Sequence, residues 1–160
     1  MFLPDDKIID HFEDTRWAND FDFKEVQVVA NYMQVYRADK GASLVREGTT
    51  EAYLCLILKG RAQILKEKSF DEKETAQIMY VTPGQAIGEI SLLDNQPRSA
   101  SVVATESMLF LVLEQEGLER LTNRDPGLAL KVVRKIAMIL CQRLRQTSGQ
   151  LVRNLDTFTG

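Results

Sequence analysis

Histidine and cysteine are scarce in this chain of 160 residues, which has one histidine and two cysteines. The histidine is His11, so a metal centre built from several histidines, a serine triad and a histidine general acid are all disfavoured. Cys55 and Cys141 lie within apolar sequence, where a thiol usually behaves as a small buried hydrophobe. The cysteine content therefore predicts no redox function and favours the cytosol.

The chain also lacks a large excess of charge and any long apolar run. Its formal net charge is -3, which argues against the basic surface that nucleic-acid binding normally requires. The amino terminus has early acids and no apolar stretch of a secretory signal, and no run is long enough to span a bilayer. With 44% hydrophobic residues, the chain has enough apolar sequence for the core of one globular domain.

Hydrophobic periodicity divides the chain into helix, strands and helix again. Residues 1–22 form an amino-terminal extension whose function is not readable. Residues 23–33 have apolar positions at helical spacing after Asp22, a typical N-cap. Between residues 34 and 113, short segments rich in valine, isoleucine, leucine and tyrosine alternate with turn sequences. These turns are DKG (39–41), EGTTE (47–51), KG (59–60), SFDEKE (69–74) and TPG (82–84).

Many short strands with regular turns are typical of a jelly-roll barrel, a double-stranded β-helix closed enough to hide its strand edges. After residue 113 the helical period returns, first over residues 114–121. A long helix then follows Asp125 and Pro126 and reaches about residue 155. The predicted fold is mainly β, with a helix before the barrel and a long helix after it.

The candidate binding site lies in residues 83–104, PGQAIGEISLLDNQPRSASVVA. Gly88 gives a ligand room to approach the main chain, and the amides of the turn after it form a helix start that favours an anion. Glu89 is placed to accept hydrogen bonds from a pair of hydroxyls. Arg98 and Ser99 follow nine and ten residues later, and a guanidinium binds phosphate oxygens in a bidentate manner. The segment predicts a ligand that carries both hydroxyls and a phosphate.

In these residues the chain resembles the cyclic nucleotide-binding domains of catabolite activator proteins, protein kinase A regulatory subunits and nucleotide-gated channels. The family signature is a Gly-Glu pair, a short apolar helix, a variable gap and an Arg followed by Ser or Ala, here IGEISLLDNQPRSASV. The likeness extends over about residues 23–148 and includes four turn glycines, which are Gly41, Gly48, Gly60 and Gly84.

The resemblance implies that Glu89 binds the ribose 2′-hydroxyl and that Arg98 neutralises the cyclic phosphate. The other candidate ligand-binding residues are Gly88, Ile90, Ser91, Ser99 and Ala100 around the phosphate, and Ile64, Ile78 and Val81 beside the base. A simpler alternative for Glu89 and Arg98 is a surface ion pair that only braces the turn.

Apolar positions recur at alternating intervals of four and three along the long helix, over about residues 127–155. They are Val133, Ala137, Leu140, Leu144, Thr147 and Leu151. This spacing is typical of two helices packed side by side, so we expect a homodimer. A second stripe of Val132, Ile136 and Ile139 is expected to cover the barrel. The alternative is a helix that lies wholly on its own domain.

Thr147 interrupts this stripe and is followed by Ser148. In the catabolite activator family, a Thr and a Ser at the matching positions bind the adenine amino group, one of them from the opposite subunit. The resemblance therefore implies a preference for cAMP over cGMP, although a hydroxyl can also serve the carbonyl of guanine.

The sequence thus predicts a cytosolic regulatory sensor over residues 23–160 that has no catalytic function, and whose ligand shifts the carboxy-terminal helix. cAMP is the expected ligand, without a metal, a membrane or a direct nucleic-acid partner. Two alternatives stay open. The chain is either the sensor part of a DNA-binding regulator, or a member of the fold that has lost its nucleotide.

Overall fold

A computed structural model describes the backbone of residues 8–67 and 75–158, and the side chains of residues 8–67 and 79–153. The helices are α1 (Ile8–Glu13), a 3-10 turn (Ala18–Asp20), α2 (Phe23–Ala30), α3 (Glu89–Asp94), α4 (Gln115–Arg124) and α5 (Pro126–Phe158). The strands are β1 (Met33–Ala38), β2 (Ser43–Val45), β3 (Tyr53–Lys59), β4 (Ala62–Glu67), β5 (Thr75–Val81), β6 (Ala86–Ile87), β7 (Ser101–Ala104) and β8 (Met108–Glu114). The predicted SFDEKE turn lies outside the described residues.

Helix α2 begins at a capping box, as the sequence predicts. The Asp22 carboxylate accepts the Glu25 amide at 2.9 Å, and the Glu25 carboxylate accepts the Asp22 amide at 2.9 Å. Two otherwise unpaired amides are satisfied in this way. The helix ends at Ala30, three residues earlier than predicted, because Met33 pairs with Leu113 in the first strand.

The eight strands form two antiparallel four-stranded sheets. Their strand orders are β1-β8-β3-β6 and β2-β7-β4-β5. In the described part of the chain no strand pairing joins the two sheets, so the expected closed barrel is observed as two separate sheets. The expected mainly β architecture with flanking helices is confirmed.

Strand β8 is buried on both faces and separates two apolar cores. Met108, Phe110 and Val112 face the core between the sheets. The alternate residues, Leu109, Leu111 and Leu113, face the helices. A strand covered on both sides reads as one continuous apolar run, as MLFLVLE does. The amino-terminal segment contributes Phe12 and Trp17 to the helix-side core.

Helix α5 packs on the sheet through one stripe and exposes another. Val132 and Ile136 are fully buried, and Ile139 packs against the same core, so the predicted covering stripe is confirmed. Leu144 and Leu151 are 69% and 60% exposed. Among the helices that the structure describes, none is long and apolar enough to cross a membrane.

Candidate functional site

The site begins where β6 ends at Gly88. This glycine has a φ of +82°, which favours glycine strongly. A Cβ here would lie 2.5 Å from Nη1 of Arg98 and 2.5 Å from the carbonyl oxygen of Tyr53. The absence of a side chain at position 88 therefore allows the Arg98 guanidinium to lie against the main chain.

Glu89, the first residue of α3, is a buried carboxylate with 2% exposure. Its Oε1 accepts a hydrogen bond from Nη1 of Arg143 on α5, and Arg143 also donates to the carbonyl of Ala86. The other oxygen, Oε2, is buried and has no partner among the described residues. A buried carboxylate oxygen without a donor is costly, so this atom has capacity for a ligand hydroxyl.

The Arg98 guanidinium is also buried, with 3% exposure. Nη1 donates to the carbonyl of Gly88 at 2.9 Å and Nη2 donates to the carbonyl of Tyr53 at 2.8 Å. Its Nε has no hydrogen-bond partner among the residues that the structure describes. Within the described ranges no carboxylate lies within ion-pair distance of Arg98, so the predicted alternative of an ion pair with Glu89 is wrong. A buried cation without an anion is expensive unless a ligand supplies the anion.

The main chain around Arg98 is fixed by the loop before β3. The Gly48 amide donates to the Arg98 carbonyl at 2.9 Å, and the Arg98 amide donates to the Thr49 carbonyl at 2.8 Å. Lys66 Nζ donates to the Ser99 carbonyl at 2.5 Å. The position of the guanidinium is therefore set by two segments that are hydrogen-bonded to each other.

The acid and the two arginines line one small cavity of about 90 Å³. The full lining is Val45, Ile64, Ile87, Gly88, Glu89, Ile90, Ser91, Arg98, Ser99, Ala100, Val102 and Arg143. Eight of the predicted ligand-binding residues are brought together here. Ligand pockets usually have volumes of roughly 300 Å³ or more, so the cavity is small in this structure.

Of the other four predicted residues, Val81, Thr147 and Ser148 do not line this cavity. Val81 is fully buried in the core between the sheets, where its strand pairs with Ala62, so its expected place beside the ligand is not observed. Ile78 lies in β5, and its side chain is outside the described residues. Thr147 and Ser148 are exposed on α5, where their hydroxyls donate to the carbonyls of Arg143 and Leu144 at 3.0 Å and 2.9 Å.

Two residues of the site were missed by the sequence interpretation. Arg143 lies four positions before Thr147 and hence on the same helix face. This spacing could have indicated that Arg143 faces the site. Tyr53 gave no such signal, because its contact with Arg98 joins positions 45 residues apart. Its ring centre lies 4.3 Å from the Arg98 guanidinium carbon.

Burial determines the ionisation of the neutral groups near the site. Burial raises the pKa of the Tyr53 hydroxyl, with Cys55 adding to the rise and Arg98 opposing it. Burial likewise raises the pKa of the Cys55 thiol to about 12. Both groups are therefore neutral near pH 7. No cluster of three or more His, Cys, Asp or Glu suited to a metal ion occurs in the part of the chain that the structure describes.

The sequence of this chain is similar to that of known proteins. The family model described as cyclic nucleotide-binding domain matches residues 36–125. A cyclic AMP receptor protein of Thermus thermophilus is 30% identical over 128 residues, which are 80% of this chain and 56% of that protein. An acetyltransferase Pat of Mycolicibacterium smegmatis is 28% identical over 109 residues, 68% of this chain and 32% of that protein. The chain thus spans about half or less of the length of these relatives.

Two solved structures extend the likeness to the fold. A cyclic nucleotide-binding domain from Methylobacillus flagellatus has a TM-score of 0.82 and 31% identity, with 96% of this chain and 88% of that chain covered. The catabolite activator protein of Thermus thermophilus has a TM-score of 0.70 and 27% identity, with 84% and 61% covered.

Proposed function

Because the chain belongs to the cyclic nucleotide-binding domain family, we propose that it is a regulatory sensor that binds cAMP between Glu89 and Arg98 and catalyses no reaction. The single observation that carries this proposal is the buried Arg98 guanidinium, which has no anionic partner among the described residues. A cyclic phosphate is an anion of matching chemistry and geometry for a guanidinium.

The charges of the pocket support a monoanionic ligand. Arg98 and Arg143 line the cavity with two positive charges and Glu89 with one negative charge, which leaves one positive charge. A cyclic phosphate diester carries one negative charge and cancels it. The unpartnered Nε of Arg98 and the hydroxyl of Ser99 are the groups we assign to its oxygens.

The ribose is assigned to Glu89. Its Oε2 is buried without a donor, and a 2′-hydroxyl would supply one. In this structure Oε1 accepts from Arg143, so the nucleotide and α5 would share one carboxylate. Binding of the sugar is therefore linked to the position of the helix.

We infer that nucleotide entry requires α5 to move. The cavity of about 90 Å³ is smaller than a nucleotide, and Arg143 is part of its wall. A ligand that fits only when this wall is displaced binds the displaced state better and shifts the population toward it. The new position of α5 is the signal that we propose the sensor transmits.

Base recognition and dimerisation are assigned to the outer part of α5. Thr147 lies one helical turn after Arg143, and Leu144 and Leu151 form an exposed apolar stripe beside it. A second copy of α5 packed on this stripe would bury both leucines and bring Thr147 and Ser148 toward the base. Hydroxyls that accept from the adenine amino group account for the proposed preference for cAMP over cGMP.

Two further possibilities are decided by experiment. The first is that the chain is the sensor part of a DNA-binding regulator, since the relative named cyclic AMP receptor protein is longer than the matched region. A gel-shift assay on the complete gene product tests this possibility. The small volume of the cavity favours the other, a member of the fold that binds no nucleotide. Titration calorimetry with cAMP, cGMP and adenosine separates it from a sensor. We expect cAMP to bind most tightly and adenosine to bind weakly. The absence of heat and of any rise in melting temperature with both cyclic nucleotides would refute the proposed function.

A further inference from the structure

Tyr53, the first residue of β3, lies directly against the buried arginine of the site. The centre of its ring is 4.3 Å from the Arg98 guanidinium carbon. Arg98 is 3% exposed, so little water competes for this contact. A cation over an aromatic face is stabilised more strongly when it is desolvated.

The ring itself is held from its far end. The Tyr53 hydroxyl donates to the carbonyl of Leu44 at 2.5 Å, and Leu44 is in β2 of the opposite sheet. Burial raises the pKa of this hydroxyl, with Cys55 adding to the rise, so it remains a donor at neutral pH. The tyrosine therefore spans the gap between the two sheets and has little freedom to turn away.

The contacts of Arg98 restrict the guanidinium in two different ways. The carbonyls of Gly88 and Tyr53 accept from the two terminal nitrogens and fix directions within the guanidinium plane. The face of the Tyr53 ring lies against the guanidinium carbon and limits how far the group can move toward that side. In the described part of the chain, the guanidinium nitrogen that has no hydrogen-bond partner is Nε.

We propose that Tyr53 is the positioning residue of Arg98, and that its ring orients the guanidinium so that Nε is available to the phosphate of the nucleotide. This inference rests on the proposed function, because a phosphate must enter the pocket for the orientation to matter. Tyr53 does not itself touch the ligand. It sets the affinity for the phosphate through the arginine.

Variants that remove the ring of Tyr53, compared with a variant that removes only its hydroxyl, distinguish the positioning of Arg98 from ordinary packing. Tyr53→Leu removes the ring, and Tyr53→Ile is a second ring-free variant that suits a strand position. Tyr53→Phe keeps the ring and loses the bond to Leu44. Tyr36→Leu is the matched control, since Tyr36 is a β1 tyrosine that stacks on Phe110 with centroids 6.0 Å apart. Cooperative thermal unfolding confirms that each variant is folded.

Calorimetry with cAMP and with 2′-deoxy-cAMP gives the binding result. We expect the ring-free variants to weaken cAMP binding by about 3- to 30-fold, and Tyr53→Phe and Tyr36→Leu to change it by less than about 3-fold. The ratio of the two affinities reports on the ribose contact of Glu89 and is expected to stay unchanged in every variant. Loss of that ratio in Tyr53→Leu would show a general collapse of the pocket and would overturn the proposal.

The proton on Nε of Arg98 gives a second result that packing alone does not change. In the ligand-free protein, we expect the aromatic ring to displace the NMR chemical shift of this proton in the wild type and in Tyr53→Phe. This displacement should be absent in Tyr53→Leu. Unchanged resonance and affinity in the folded ring-free variants, with cAMP bound by the wild type, would overturn this inference alone. Failure of the wild type to bind cAMP would overturn the proposed function and the inference with it.

Discussion

Arg143 and Glu89, which are 54 positions apart, join the long helix α5 to the first turn of α3 through an ion pair. The Glu89 side chain is 2% exposed and the Arg143 side chain 27%. Arg143 also donates to the Ala86 carbonyl. Helix α5 therefore contacts both Glu89, the residue proposed to bind the ribose, and strand β6. Under the proposed function, this pair couples the position of α5 to the state of the pocket.

Replacing Arg143 by glutamine is expected to loosen α5 in the ligand-free protein. The variant loses the ion pair that holds the helix against α3, and local opening becomes easier where few contacts remain. Amide hydrogen exchange over residues 139–150 should be faster than in the wild type, and cAMP should alter it less. Arg145→Gln is the control, because Arg145 is an exposed arginine two positions along the same helix. Equal exchange in the wild type and Arg143→Gln would contradict the proposed coupling.

The hydroxyls of Thr147 and Ser148 are expected to determine the choice of base. In the double variant Thr147→Ala, Ser148→Ala, the ratio of affinities for cAMP and cGMP should approach one, while the pocket still binds the cyclic phosphate. The hydroxyl of Thr122 bonds to the Leu118 carbonyl at 2.8 Å, as Thr147 does to Arg143, so Thr122→Ala is the matched control. Competition binding with both nucleotides measures the ratio. If it does not change in the double variant, α5 plays no part in base recognition.

Dimerisation through α5 is expected to depend on Leu144, which is 69% exposed in one copy of the chain. Leu144→Glu places a charge in the apolar stripe and should give a monomer in sedimentation velocity, whereas the wild type should be a dimer. Met138→Glu is the control, since Met138 is 58% exposed and lies about 120° around the helix from Leu144. A monomeric wild type at micromolar concentration, or equal dissociation by both variants, would rule out this interface.

Sequence reasoning located the polar centre of the site because its residues lie in one short segment. Gly88, Glu89 and Arg98 all lie within residues 88–98, on either side of and within the short helix α3. The capping box of α2 was predictable for the same reason, since Asp22 and Glu25 are three positions apart. Structural features that depend on residues close together along the chain can be predicted from the sequence.

Features that depend on which elements meet in space were not predictable in the same way. Periodicity identified the strands but did not show which edges pair, so two sheets were expected as one closed barrel. One carbonyl partner of Arg98 and the ring beside its guanidinium both belong to Tyr53, which is 45 positions away. The pairing of Arg143 with Glu89 requires the placement of α5 on α3, which no local pattern specifies.

Alkaline pH is expected to destabilise the fold through Cys55. Burial raises the pKa of this thiol from 9.0 to about 12, so the unfolded chain releases the proton before the folded chain does. The contribution of the neutral buried thiol to the free energy of unfolding is complete below pH 9. It is lost as the pH rises toward 12, at about 1.4 kcal/mol per pH unit. Urea unfolding at pH 8, 9 and 10 should show the advantage of the wild type over Cys55→Ala shrinking above pH 9. Parallel pH profiles of the two proteins would exclude this contribution.

Titration calorimetry of cAMP into the wild type, Arg98→Leu and Arg61→Leu tests most directly that a buried guanidinium neutralises the cyclic phosphate. The wild type should bind with about -8 kcal/mol or better, in the micromolar range or tighter. Arg98→Leu should lose on the order of 2 to 5 kcal/mol, because the phosphate is left without its partner. Arg61, which lies over the Tyr80 ring at 4.8 Å, is outside the pocket, and its replacement should have no effect. A loss of less than tenfold in Arg98→Leu would contradict the account.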